Sequence, residues 1–166
     1  MRKRYFVLVL LLLLFAILQI TLVPRLGKVL RQSDLLLCLT IAYALMFGPT
    51  EGAVLGLGAG LLRAIVSGPA LGFYAIPLYV IGYCVGQFSR VVYRNSALVP
   101  FVVGLVTTAS YWLLMTLITG GLYGFWIGGR FWLGLPLSLL VNGVITAVIY
   151  ALMYKRAERD AVGGRG

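Results

Sequence analysis

Side chains able to do chemistry are scarce in this chain. Fourteen Lys and Arg stand against four Asp and Glu, and there is no His. Without His the commonest general base and metal ligand is gone, which excludes His-based triads and His-ligated zinc. Asp34 and Glu51 sit at opposite ends of one apolar run, roughly 25 Å apart at the helical rise of 1.5 Å per residue, too far for paired acid and base work. Cys38 and Cys84 are isolated and form neither a disulfide framework nor a metal spacing, so they read as packing residues. Ser110, Ser138, Thr107, Thr108, Thr116 and Thr146 have no visible base and read as helix-packing hydroxyls. Gly56, Gly58 and Gly60 lie inside an apolar helix with no strand before them, unlike a nucleotide loop. Nothing points to an enzyme, a cofactor or a metal site.

The elements that must hold these residues are apolar helices. The chain is 61% hydrophobic and 11% charged, outside the usual composition of water-soluble domains. Apolar stretches predict membrane spans near 5–23, 34–48, 51–67, 72–88, 97–119 and 131–154, followed by a short basic tail at 155–166; a spanning helix needs roughly 20 residues. The expected fold is all-α, a single integral membrane domain over residues 1–166 built as a six-transmembrane-helix bundle. Five spans with one re-entrant hairpin is the alternative. The first run follows Arg2, Lys3 and Arg4 but exceeds a signal h-region, and Gln19, Thr21 and Pro24 offer no small-residue cleavage pattern, so it reads as a retained helix.

Charge sets the expected orientation. With the N-terminus inside, nine basic residues (Arg2, Lys3, Arg4, Arg90, Arg94, Lys155, Arg156, Arg159 and Arg165) lie on the cytoplasmic side. Four, Arg25, Lys28, Arg31 and Arg130, lie outside. Both termini are expected in the cytoplasm, and this asymmetry explains the net charge of +10 without nucleic acid. Arg90, Arg94, Lys155, Arg156 and Arg159 are expected to hold that face against anionic lipid. Residues 24–34 are apolar on one side and basic on the other, which fits either a surface-lying helix or a solvated loop. Tyr123, Phe125, Trp126 and Trp132 surround an outer loop, as an interfacial belt or as partner contacts.

The 21 glycines are close to twice the usual share of about 7%. Gly48, Gly52, Gly56 and Gly60 recur every fourth residue, as do Gly68 with Gly72 and Gly82 with Gly86. Residues four apart stack on one helix side, and a stripe without side chains admits another backbone closely. Gly48 belongs to a turn with Pro49. That leaves Gly52, Gly56, Gly60, Gly72, Gly82 and Gly86 as packing positions, inside the bundle or against a partner.

Charges within spans face the protein interior. If the second and third spans run antiparallel around residues 48–51, positions of equal depth have numbers summing to about 99, which sets Arg63 within a turn of Asp34. Gln19 lies near the same level, predicting an intramembrane polar cluster of Gln19, Asp34 and Arg63; otherwise Arg63 snorkels alone to the interface. Asn142, central in the last span, is expected to hydrogen-bond across helices.

The order of motifs is similar to one known family. Leu18-Gln19-Ile20-Thr21-Leu22, Ser33-Asp34-Leu35-Leu36-Leu37 and Ala44-Leu45-Met46-Phe47-Gly48 with Glu51-Gly52 resemble the rod shape-determining protein MreD. So do Gly60-Leu61-Leu62, Ser67-Gly68-Pro69-Ala70-Leu71-Gly72-Phe73, Ile81-Gly82-Tyr83-Cys84-Val85-Gly86 and the segment from Leu135-Pro136 through Asn142-Gly143 to Tyr154. Ser33 stands where the family usually has Pro, and Ala64 where it often has an acidic residue. The resemblance implies a non-enzymatic scaffold subunit of the bacterial cell-elongation machinery in the cytoplasmic (inner) membrane. Its implied partners are an MreC-like membrane protein, MreB filaments and RodA- and PBP2-type peptidoglycan synthases. It also implies a bundle similar to the substrate-binding subunits of energy-coupling-factor transporters. From that likeness comes the rival reading, a vitamin-type small-molecule binding subunit. Such subunits commonly carry small residues on the first helix, where this chain has bulky Leu8 to Leu14 and only Ala16 is small. A lipid-modifying enzyme, the third class, is disfavoured by the missing His and sparse carboxylates.

Overall fold

The computed structural model describes residues 2–21, 25, 33–68, 72–90, 98–124 and 129–163. Six α-helices account for almost all of them: α1 Arg2–Thr21, α2 Leu35–Phe47, α3 Pro49–Ser67, α4 Gly72–Gln87, α5 Leu98–Tyr123 and α6 Gly129–Gly163, with one 3-10 turn at Phe88–Arg90 after α4.

The helix ends follow from local chemistry. Asp34 caps α2, its Oδ1 accepting the Leu37 N–H at 3.2 Å. One residue, Gly48, separates α2 from α3; its φ of 95° is a left-handed value that glycine tolerates without a Cβ clash. The turn expected over residues 48–51 therefore contracts to Gly48, because Pro49 is seated in the first turn of α3, where its missing N–H costs nothing. Gly68, at φ 83°, closes α3 with its N–H on the Ala64 carbonyl. Four helices overrun their expected spans, α1 and α3 by only two or three residues at their starts. α5 continues from residue 119 to Tyr123, and α6 starts at Gly129 and runs past Tyr154 to Gly163, since Lys155-Arg156-Ala157-Glu158-Arg159 are all good helix formers.

The bundle is organised around α2, which touches each of the other five helices. Every residue from Leu36 to Leu45 is buried. A helix apolar on all sides belongs in such a core. At 13 residues it is only about 20 Å long, shorter than the roughly 30 Å that an upright helix needs to cross a bilayer core, and its five neighbours enclose it. Around it, α3 packs against α4 in the most extensive helix pair, and α5 against α6 in the next.

Among the described residues, three helices are long and apolar enough to cross a membrane: Pro49–Ser67, Leu98–Gly121 and Gly134–Arg159. The outer faces agree. Val9, Leu13 and Ile17 on α1, Val106 and Leu113 on α5, and Leu140 and Val144 on α6 are all exposed, as large apolar side chains on a membrane- or partner-facing surface are.

Candidate functional site

Two assemblies account for the polar and glycine residues singled out by the sequence. The first is a backbone-to-backbone contact along α3 and α4. A Cβ built on Gly52 would stand 2.5 Å from the Gly82 carbonyl oxygen, one on Gly60 would stand 2.6 Å from that of Tyr74, and one on Gly86 would stand 2.5 Å from the Pro49 nitrogen. On Gly56 it would run into the Leu78 carbonyl, with the carbonyl carbon at 2.8 Å. The contacts Gly86 to Pro49, Gly82 to Gly52, Leu78 to Gly56 and Ala75 to Gly60 step by three or four residues in opposite directions, the signature of antiparallel helices meeting along one stripe each. Both stripes are thus consumed inside the bundle. Gly72 takes no part: it is exposed, and its nearest neighbour is Ile76 of its own helix. A smaller contact of the same kind joins α5 to α6, where a Cβ on Gly104 would lie 3.0 Å from Gly143 Cα. Sequence reasoning missed that pair because neither glycine recurs at helical spacing.

The second assembly surrounds the start of α2. Helix N-termini leave backbone N–H groups without intrahelical partners, and in hydrocarbon no water satisfies them. Here side chains from three elements do so. The Asp34 N–H donates to Asn142 Oδ1 of α6 at 2.9 Å, the Leu35 N–H donates to Gln19 Oε1 of α1 at 2.7 Å, and the Leu37 N–H donates to Asp34 itself. Gln19 returns with its Nε2, donating to the Ser33 carbonyl at 3.0 Å. The Cys38 thiol donates to the Asn142 carbonyl at 3.5 Å.

Arg63 of α3 completes the cluster through an ion pair with Asp34 Oδ2. Its guanidinium lies 4.8 Å from the ring centre of Tyr74 on α4 and 5.7 Å from that of Tyr111 on α5, within cation–π range of both. With Arg63 27% exposed and Asp34 10%, the pair is largely withdrawn from solvent, where losing one partner of a buried pair costs about 3–5 kcal/mol. Gln19, Asp34 and Arg63 therefore meet, and Asn142, Tyr74 and Tyr111 join them. Tyr74 was findable: only four residues separate the end of α3 from the start of α4, so the same depth matching that pairs Arg63 with Asp34 places Tyr74 close by. Tyr111 and Asn142 sit on helices reached through longer connections, and no spacing rule ties them to Asp34.

The chemistry available here is cohesive. The one guanidinium is neutralised by the one carboxylate and covered by two aromatic rings. Both polar ends of the Gln19 amide are occupied. Buried Thr40, Thr108 and Thr116 give their hydroxyls to carbonyls one turn earlier. The Tyr111 hydroxyl and Asn142 Nδ2 are buried without a hydrogen-bond partner among the described residues. No group of three metal-ligating side chains occurs among the described residues.

The remaining expected sites are only partly visible. Lys155, Arg156 and Arg159 are exposed on the last turns of α6, and Arg90 ends the 3-10 turn. Arg94, Phe125 and Trp126 lie outside the described residues, as do the side chains of Tyr123 and Trp132, whose backbones belong to α5 and α6. No family model, curated protein or solved structure matches the chain.

Proposed function

We propose that this chain is a non-enzymatic scaffold subunit of the MreD type in the bacterial cell-elongation machinery. It sits in the cytoplasmic membrane as a six-span bundle with both termini inside. It binds an MreC-like partner and helps organise lateral peptidoglycan synthesis beside MreB filaments and RodA-type and transpeptidase synthases. The observation that carries this reading is the use of the intramembrane polar groups: Asp34, Arg63, Gln19 and Asn142 lock four helices to one another. The α3 and α4 glycines serve the same end. What remains for contact with other chains is a rigid body with a bulky apolar exterior, the property a docking platform needs.

Two details weigh on the choice of family. Ala16, the small residue of the first helix, faces the bundle at 7% exposure, while Val9, Leu13 and Ile17 point outward. An energy-coupling-factor-like subunit would instead present small residues outward to its coupling partner. Ala64, where the MreD pattern often has an acid, is buried at 1%, and the carboxylate that neutralises neighbouring Arg63 comes from Asp34 instead.

Depletion in the native rod-shaped host tests the proposal. Rounding of the cells with membrane lipid composition unchanged supports it. Retained rod shape with loss of a vitamin's uptake, or of a lipid product, overturns it.

A further inference from the structure

A groove of about 580 Å³ opens between α1 and α6 above the C-terminal half of α2, within the roughly 300–1,000 Å³ of small-ligand sites. Leu8 and Phe15 of α1 form one wall, Leu152 and Met153 of α6 the other, and Leu39 and Tyr43 of α2 the floor. Its lining is hydrocarbon and aromatic throughout, except at one end. There Arg156 lies one helical turn beyond Leu152, on the same face of α6. Among the described residues no hydrogen bond or ion pair engages its guanidinium. Because α6 stays helical to Gly163, the cation is held over the groove by a continuous helix.

The lining and its one charge select the occupant. From Ile149 to Ala157 the α6 wall runs about 12 Å along its axis, apolar until it reaches the Arg156 guanidinium. An apolar channel ending at a guanidinium matches a lipid whose tail is buried and whose headgroup carries a phosphate, since Arg binds phosphate oxygens through paired N–H donors. We propose that this groove is a specific site for one anionic phospholipid of the leaflet nearest the chain termini, with acyl chain along Leu8, Tyr43 and Leu152 and phosphate on Arg156.

This inference rests on the membrane placement of the bundle and not on the scaffold reading; retained cell shape on depletion would leave it standing. It is tested by native mass spectrometry of the full chain in detergent, titrated with phosphatidylglycerol and separately with phosphatidylcholine. One phosphatidylglycerol per chain is expected, with phosphatidylcholine, whose own choline cation offsets its phosphate charge, at least about tenfold weaker. Arg156→Gln should bring phosphatidylglycerol down to the phosphatidylcholine level, and Arg156→Lys should fall between. Arg25→Gln, at an exposed cation outside the groove and outside the basic face of the termini, should stay within about twofold of the parent if paired N–H donors at one guanidinium set the affinity. Leu152→Trp, filling the groove from an exposed position, should weaken both lipids. Equal affinity for the two lipids, equal losses in Arg156→Gln and Arg25→Gln, or undiminished binding by Leu152→Trp would overturn the proposal. So would photocrosslinking from Met153 in cells that captures a protein helix rather than lipid.

Discussion

Adding a single methyl group at Gly56 should loosen the bundle more than the same change at Gly72. At Gly56 the new Cβ would meet the Leu78 carbonyl carbon at 2.8 Å and Thr40 Cγ2 at 3.2 Å, against 3.4 Å or more for an ordinary contact. The Leu78 atoms are backbone, so no rotamer change makes room and α3 and α4 must part by most of an ångström. A gap of 0.5–1 Å forfeits about a quarter to a half of each dispersion contact along the seam. Overpacking of this kind costs about 1–3 kcal/mol, and helix propensity returns up to about 1 kcal/mol. We expect a net loss near 1 kcal/mol for Gly56→Ala and for Gly82→Ala, roughly a fivefold shift in the unfolding equilibrium. Gly72→Ala, whose Cβ would find only Ile76 at 3.6 Å, should stay within about 0.5 kcal/mol of the parent. The chain supplies its own probe: Cys38 is buried and Cys84 exposed, so in a Cys84→Ser background pulse labelling of Cys38 across a denaturing-detergent titration reads global opening. Equal destabilisation by Gly56→Ala and Gly72→Ala, or none by Gly56→Ala, would refute the reasoning.

Three further outcomes follow from the same geometry. In a double-mutant cycle Asp34→Asn and Arg63→Leu should each destabilise by about 3 kcal/mol, with the double variant losing at least 1 kcal/mol less than their sum; additive losses would show that the pair does not interact. Gln19→Leu removes the partners of the Leu35 N–H and the Ser33 carbonyl and should cost about 1–3 kcal/mol, with hydrogen exchange rising first at the start of α2. Ala16→Leu should destabilise the isolated chain by about 1–3 kcal/mol through overpacking against the bundle; a stable variant defective only in partner binding would place that face on the outside.

What was readable beforehand came from short connections. One residue between α2 and α3 forces an antiparallel hairpin, so depth arithmetic placed Arg63 beside Asp34 from numbering alone. The glycine stripes were visible for the same reason, yet their direction was not: Gly52, Gly56 and Gly60 suit a neighbouring helix or another chain equally well, and only the approach of Gly82 and Leu78 assigns them inward. Gly72 shares the fourfold spacing but sits at the exposed start of α4, where periodicity carries no information about contact. Asn142 was legible as a cross-helix hydrogen-bonder; its partner was not, because nothing in the spacing says which helix end will need an acceptor. The shortness of α2 was hidden by its composition. Leu35 to Phe47 reads as a clipped span, and its true distinction, enclosure by all five other helices, is a property of the assembled bundle.

The scaffold reading turns on what accompanies the chain out of the membrane. Affinity purification from native membranes under mild detergent, with quantitative mass spectrometry of the eluate, measures this directly. The account predicts near-stoichiometric recovery of an MreC-like protein with a single membrane span. An energising ATPase recovered with a bound vitamin, and no such partner, would contradict it.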